Sequence, residues 1–105
     1  MLALDTAFQG QTVITTFDVT PGTCQDLVEA LSSAHAEVIS KCPGFLGSAL
    51  HVNDAQTRVA SYSQWTSRND FQAMLRLPEM RERNRRLNEL CKSFEPVMYE
   101  VAVTY

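Results

Sequence analysis

Cysteine, histidine and glycine are all scarce in this chain, and each shortage removes a class of chemistry. The three cysteines, Cys24, Cys42 and Cys91, are odd in number and show no CxxC spacing. They make neither a disulfide framework nor a zinc site. Reduced thiols in a cytoplasmic protein are the plain expectation. The four glycines, Gly10, Gly22, Gly44 and Gly47, are scattered, so no glycine-rich loop is present to cradle a phosphate. The two histidines, His35 and His51, fit no Ser/His/Asp or Cys/His spacing. The carboxylates do not pair as glycosidase or metal chemistry requires. These absences point to no metal, nucleotide or flavin cofactor.

Long apolar runs are missing too. No segment approaches the length needed to span a bilayer, and Met1 to Asp5 lacks the basic start and apolar core of a signal peptide. A net charge of −3 gives no electrostatic footprint for nucleic acid. The basic residues Arg76, Arg81, Arg83, Arg85, Arg86 and Lys92 do fall in one segment, but Glu79, Glu82 and Glu89 break it. That pattern suits a solvated helix face with i,i+4 partners.

What remains is a chain of 105 residues, 45% of them apolar. One domain over residues 12–105 is expected, behind a flexible tail over residues 1–11. Thr12 to Val19 is β-branched and aromatic and reads as a strand. Pro21-Gly22 stops it, and Thr23 with Asp26 resembles a capping box opening a helix. That helix carries Leu27, Leu31, Ala34 and Val38 at helical spacing. Phe45 to Val52 and Arg58 to Thr66 read as a hairpin around the turn residues Asn53 to Thr57. Ser67 with Asp70 caps a second helix bearing Phe71, Met74 and Leu75. Pro78 suits the first turn of a third, with Met80, Leu87, Leu90, Cys91 and Phe94 as its apolar stripe. Val97 to Tyr105 reads as the last strand.

The resulting order, β-α-β-β-α-α-β, predicts a ferredoxin-like α+β fold: a four-stranded antiparallel sheet with helices on one face. The first and last strands carry apolar residues on both sides. A sheet of that kind must hide its second face, and sheet-to-sheet dimerisation is the economical way to do so.

Period two along the third strand groups Val59, Ser61, Ser63 and Trp65 on one face, with Ala60, Tyr62 and Gln64 on the other. The second strand groups Phe45, Gly47, Ala49 and His51. Small residues in mid-strand leave space above the sheet. Bounded by Trp65, Phe71 and Met74, that space predicts a pocket for a planar ligand. The competing reading is a core with small residues that let helices pack closely.

The segments Pro43-Gly44-Phe45-Leu46-Gly47-Ser48-Ala49-Leu50-His51 and Tyr62-x-Gln64-Trp65-x-Ser67, with the helices that follow, resemble the antibiotic biosynthesis monooxygenase family over roughly residues 12–104. The likeness is nearest to its cofactor-independent, quinone-forming polyketide oxygenases. It implies a dimeric α+β barrel. It also implies oxidation of an anthrone-like or naphthacenone-like phenol to a quinone by molecular oxygen. The resemblance places Trp65 and Arg85 as the working pair, with His51 as a further catalytic candidate. Ser61, Ser63, Gln64, Phe71 and Met74 become the substrate-binding candidates. Two positions depart from the pattern: Ser61 stands where an Asn is expected and Phe71 where a Tyr is expected. The haem-degrading branch is a poor match, because Thr15, Met74 and Asn84 occupy its Asn, Trp and axial His positions.

The implied partners are an aromatic polyketide, O2 and a second copy of the chain. Direct reaction of a closed-shell molecule with triplet oxygen is spin-forbidden. An electron-rich phenolate escapes the restriction by handing over one electron. Two rival functions stand beside this one. The first is a non-oxidative isomerase, cyclase or decarboxylase on the same scaffold. The second is a non-catalytic dimeric binding or stress protein.

Overall fold

The computed structural model describes residues 4–105. The expected N-terminal tail therefore lies partly outside the described residues, at positions 1–3. The elements run β1 (Gln11–Asp18), α1 (Pro21–Glu37), a 3₁₀ turn (Ile39–Lys41), β2 (Phe45–Val52), β3 (Arg58–Trp65), α2 (Arg68–Arg76), α3 (Pro78–Leu90) and β4 (Ser93–Tyr99). The strands form one antiparallel sheet in the order β2-β3-β1-β4. This is the expected ferredoxin-like α+β fold, with the helices on one face and the sheet open rather than closed.

Two clusters fill the layer between sheet and helices. Around Trp65, the residues Val13, Ala34, Ile39, Phe71, Met74 and Met80 pack together. At the other end, Phe17, Leu27, Leu31, Val59, Leu87 and Leu90 do the same. Both draw on alternate strand residues and on helical stripes, so the periods of two and 3.6 meet in one core.

The helix starts follow from local chemistry. Ser67 caps α2, its Oγ accepting from the Asp70 amide at 3.1 Å. The Asp70 carboxylate in turn accepts from the hydroxyls of Thr66 at 2.5 Å and Ser67 at 2.9 Å. Pro78 opens α3, as expected. The first helix differs from expectation. It begins at Pro21 with Thr20 as its cap residue, and Thr23 lies inside the first turn, bonded back to Thr20. Proline at the first helical position, with its φ already helical and no N–H to satisfy, starts the helix before the Thr23–Asp26 pair can.

The last strand also differs. The third helix stops at Leu90, so Cys91 and Phe94 are not part of its stripe. Strand β4 is Ser93–Tyr99, and residues beyond Tyr99 take no regular structure. The reason is cross-strand packing. Phe94 pairs in register with Phe17 on β1, their rings stacked at 5.3 Å, and that contact draws the strand start forward. Met98, Pro96 and Phe94 therefore share the helix side, while Val97 and Tyr99 share the open side.

An irregularity in β2 corrects a further expectation. The β2–β3 register shifts between Phe45 and Gly47. Phe45 packs on Trp65, and Leu50, an odd number of residues later, packs on the same layer. Only a bulge permits that, since strict alternation would send them to opposite faces. After the bulge, Ser48 and Leu50 pair with Ser63 and Ser61 on the helix side. Gly47, Ala49 and His51 turn to the open face, opposite to the side expected for them.

Candidate active site

A cavity of about 70 Å³ lies between the helix side of the sheet and the three helices. Its floor is built by adjacent strands. Thr15 and Ser61 are cross-strand partners on β1 and β3, and Ser63 and Trp65 continue the same face of β3. Phe94 and Pro96 of β4 lie along one side. The roof comes from Leu31, Ala34 and His35 of α1, from Phe71, Met74 and Leu75 of α2, and from Met80, Asn84 and Leu87 of α3. Of the small mid-strand residues expected to leave space here, Ser61 and Ser63 do so, while Gly47 and Ala49 face the other side of the sheet.

Trp65 is wholly buried. Phe45 and Phe71 meet it edge-on, at 5.4 Å and 5.8 Å between ring centroids. Such edge-to-face contacts orient the indole as well as burying it. Its Nε1–H donates to Ser63 Oγ at 3.2 Å. The indole donor is thus engaged within the protein. Trp65 borders the cavity but exposes no surface to it, and the hydroxyl hydrogen left to donate belongs to Ser63.

Three of the remaining polar side chains are unpaired with other protein atoms. Thr15, Ser61 and Asn84 make no side-chain hydrogen bond among the described residues, yet no buried side-chain polar atom is left without a partner. Their oxygens and amide therefore keep some accessible surface, and all three residues border the cavity. His35 bonds through Nδ1 to the Leu31 carbonyl at 2.8 Å. No Asp, Glu, Lys or Arg lines the space. The site is a neutral, largely apolar slot with hydroxyls on one wall and an amide and an imidazole on the other.

Five of the residues singled out from the sequence come together here: Trp65, Ser61, Ser63, Phe71 and Met74. Three do not. Arg85 is exposed on α3 and pairs with Glu82 at 3.0 Å. Its neighbour Asn84 lines the cavity instead, because one residue turns a helix face by about 100°. His51 lies exposed on the open face of the sheet, carried there by the β2 bulge. Gln64 is buried, but it lies on that same open face beside Thr12 and Tyr62. His35 and Asn84 are the cavity residues that pattern reading passed over as site candidates. The available signal was their helical phase: His35 follows Leu31 by four positions, and Asn84 follows Met80 by four.

The cysteines play no part in the cavity. All three are free, and burial pushes the thiols of Cys42 and Cys91 up, so they stay protonated. No cluster of metal-ligating side chains occurs among the described residues, and no helix among them is long and apolar enough to cross a membrane.

Known structures of the same shape carry related descriptions. A monooxygenase from the gene ActVA-Orf6 of Streptomyces coelicolor, solved with the ligand nanaomycin D, superposes with a TM-score of 0.81 at 27% identity. The match covers 91% of this chain and 90% of that one. A variant of SnoaB, a cofactor-independent oxygenase from Streptomyces nogalater, gives a TM-score of 0.81 at 19% identity, over 92% of this chain and 97% of that one. A protein described as a putative antibiotic biosynthesis monooxygenase from Nitrosomonas europaea gives 0.77 at 18% identity, over 88% and 89%. No curated protein is detectably similar in sequence. The sequence profile described as antibiotic biosynthesis monooxygenase matches residues 11–86, most of the sheet and all three helices up to Arg86. With that match, and with the fold its strand order and bulge produce, the chain belongs to the antibiotic biosynthesis monooxygenase family.

Proposed function

We propose that this protein is a cofactor-independent monooxygenase that converts a flat, phenolic polyketide of the anthrone or naphthacenone type to a quinone with molecular oxygen. The observation that carries this reading is the character of the cavity: a neutral slot with Trp65 wholly buried beside it and hydroxyls along one wall. At about 70 Å³ the slot must widen by movement of the helix side chains to admit a planar aromatic, which would then lie against the indole, Phe71 and Met74. The hydroxyls of Ser61, Ser63 and Thr15 and the amide of Asn84 are donors for the oxygen substituents of such a ring. With no cation in the slot, the buried part of the substrate carries no carboxylate or phosphate. The relative from Streptomyces coelicolor was solved with the ligand nanaomycin D, and that likeness supports a small-molecule substrate for this chain too.

The protein's tasks follow from the reaction. It must bind the phenol, favour its anion and exclude bulk water. The anion gives one electron to O2, and the resulting radical and superoxide combine to a peroxide. Donors fixed in a dry site stabilise the developing charge, each by on the order of 3 kcal/mol. The peroxide then loses water to leave the new carbonyl. The reaction takes place in the cytoplasm, and the protein works as a homodimer, its open sheet faces packed together into an α+β barrel. The half-buried Ile14, Ala49, Ala60, Tyr62 and Val97 on that face support the pairing.

The test is aerobic turnover of a hydroxyanthrone by the purified protein, followed by oxygen uptake and quinone absorbance. Uptake of one O2 for each quinone is the expected result. Conversion of the substrate without oxygen uptake would replace this reading with an isomerase or cyclase. Binding without conversion would leave a carrier.

A further inference from the structure

We propose that His35 takes the proton that makes the bound phenol reactive. The inference rests on the oxygenase reading above and assigns the step that reading leaves open. His51, the histidine that the family resemblance brings forward, is on the other face of the sheet. Among the described residues, His35 is the only titratable side chain that lines the cavity.

Its ring is set for the role. The Leu31 carbonyl can only accept a hydrogen bond, so Nδ1, 2.8 Å away, carries the hydrogen. That bond fixes the tautomer and leaves Nε2 with its lone pair in the neutral ring. Nε2 has no partner among the described residues. Residues four apart stack on one helix face, so the bond to Leu31 also anchors the ring to its own helix. A carbonyl that orients a histidine through Nδ1 while Nε2 meets the substrate is the arrangement a general base needs. Across the slot stand the hydroxyls of Ser61 and Thr15, placed to hold the substrate oxygen whose charge grows as the proton leaves.

The steps balance. Nε2 takes the proton from the acidic C–H of a hydroxyanthrone, leaving the electron pair on the ring system as an enolate. One electron passes to O2, giving superoxide and a carbon radical. The two combine to form the C–O bond, and the peroxide anion takes the proton back from the imidazolium. The hydroperoxide then loses its remaining C–H proton to Nε2 while the O–O bond breaks. The C–H electron pair becomes the new carbonyl bond, and hydroxide leaves as water with that proton. One anthrone and one O2 give one anthraquinone and one water.

The experiment uses 1,8-dihydroxyanthrone as the probe, first without oxygen and then with it. Under argon, binding is followed by quenching of Trp65 fluorescence and ionisation by the visible band of the anthrone anion. The wild-type protein is expected to bind the probe largely as the anion. His35→Gln should bind with similar affinity but hold it neutral, and on admission of air its turnover should fall by about 100-fold. Added imidazole should restore part of that loss. His51→Gln should keep both the anion band and the turnover. If His35→Gln does not fold by circular dichroism, His35→Asn, whose shorter amide can still donate to Leu31, takes its place. An unchanged anion band and turnover in the folded variant would overturn the assignment and leave the oxygenase reading standing. An anion band in the wild type that depends on His35, without oxygen uptake, would support the base and overturn the oxygenase. A wild-type protein that fails to bind the probe, or binds it only neutral, overturns the assignment.

Discussion

The indole N–H of Trp65 points at the hydroxyl of Ser63, two residues back on the same strand face, at 3.2 Å. Both residues are buried. Period two in a strand puts i and i+2 on one side, so the sequence places the acceptor where a buried tryptophan needs one. The hydroxyl accepts from the indole and keeps its own hydrogen for the cavity.

Ser63→Ala should therefore cost more than a hydroxyl. It strands a buried N–H with no acceptor, a loss of about 1–3 kcal/mol in unfolding free energy. Urea denaturation followed by Trp65 fluorescence reads this directly. It should also weaken binding of a hydroxyanthrone, while Ser63→Thr keeps the acceptor and most of the stability. Unchanged stability in the alanine variant would mean that the indole finds another partner.

Arg85 and Asn84 are neighbours in sequence with opposite surroundings. Arg85 pairs with Glu82 in solvent, where such a pair is worth about 0–1 kcal/mol. Asn84 lines the cavity. Arg85→Gln should leave turnover within about twofold, since it removes no cavity contact. Asn84→Leu, similar in size but without donors, should lower turnover by about tenfold or more, with little loss of stability. Steady-state oxygen uptake separates the two. A collapse in Arg85→Gln with a silent Asn84→Leu would move the chemistry to the outer face of α3.

Acid should loosen the β3–α2 junction before the rest of the core. Hydrogen bonds from the Thr66 and Ser67 hydroxyls hold the Asp70 carboxyl below its ordinary value. At the helix pair α1–α3, Arg83 and Ser33 do the same for Glu37. In both cases the folded-state pKa is depressed. The stability they bring is present above the unfolded values, about 4, and is lost as pH falls through the folded ones. Stability measured by urea midpoint should thus be flat near neutrality and decline below about pH 4. Asp70→Asn should show a shallower decline. Gly44, just before β2, packs on this junction with φ +83°, and a Cβ there would be driven into the Asp70 carboxylate. Gly44→Ala should cost about 1 kcal/mol or more.

The sequence made the fold legible because its signals agreed. Ser67 and Asp70 gave a helix start, Pro78 gave another, and Asn53 to Thr57 gave the hairpin. The cavity floor was legible through the parity of Ser61, Ser63 and Trp65. What escaped was long-range. The β2 bulge that sends His51 to the open face is set by Phe45 packing on Trp65 twenty residues away. The early start of β4 is set by Phe94 stacking on Phe17. Alternation within one segment carries no trace of either contact. The helix residues of the site, His35 and Asn84, were hidden for a different reason: a polar residue at the edge of an apolar stripe looks like the start of the solvated face.

The open face of the sheet makes the last prediction. Ala60, third residue of β3, lies on it opposite Thr16 on β1 and His51 on β2, with the half-buried Ile14, Tyr62 and Val97 nearby. Tyr99 at its edge is 46% exposed. A stable dimer interface covers about 800 Å² on each partner, on the scale of one face of a small four-stranded sheet. Ala60→Glu should therefore place a charge in the face that the proposed dimer would cover and split that dimer, with the monomer still folded because the side chain points away from the core. Sedimentation velocity should show the wild type at twice the mass of the variant. A monomeric wild type at micromolar concentration would remove the barrel. The cavity would then have to work within a single chain, with the apolar patch of Ile14, Ala49, Ala60, Tyr62 and Val97 left uncovered among the polar residues of that face.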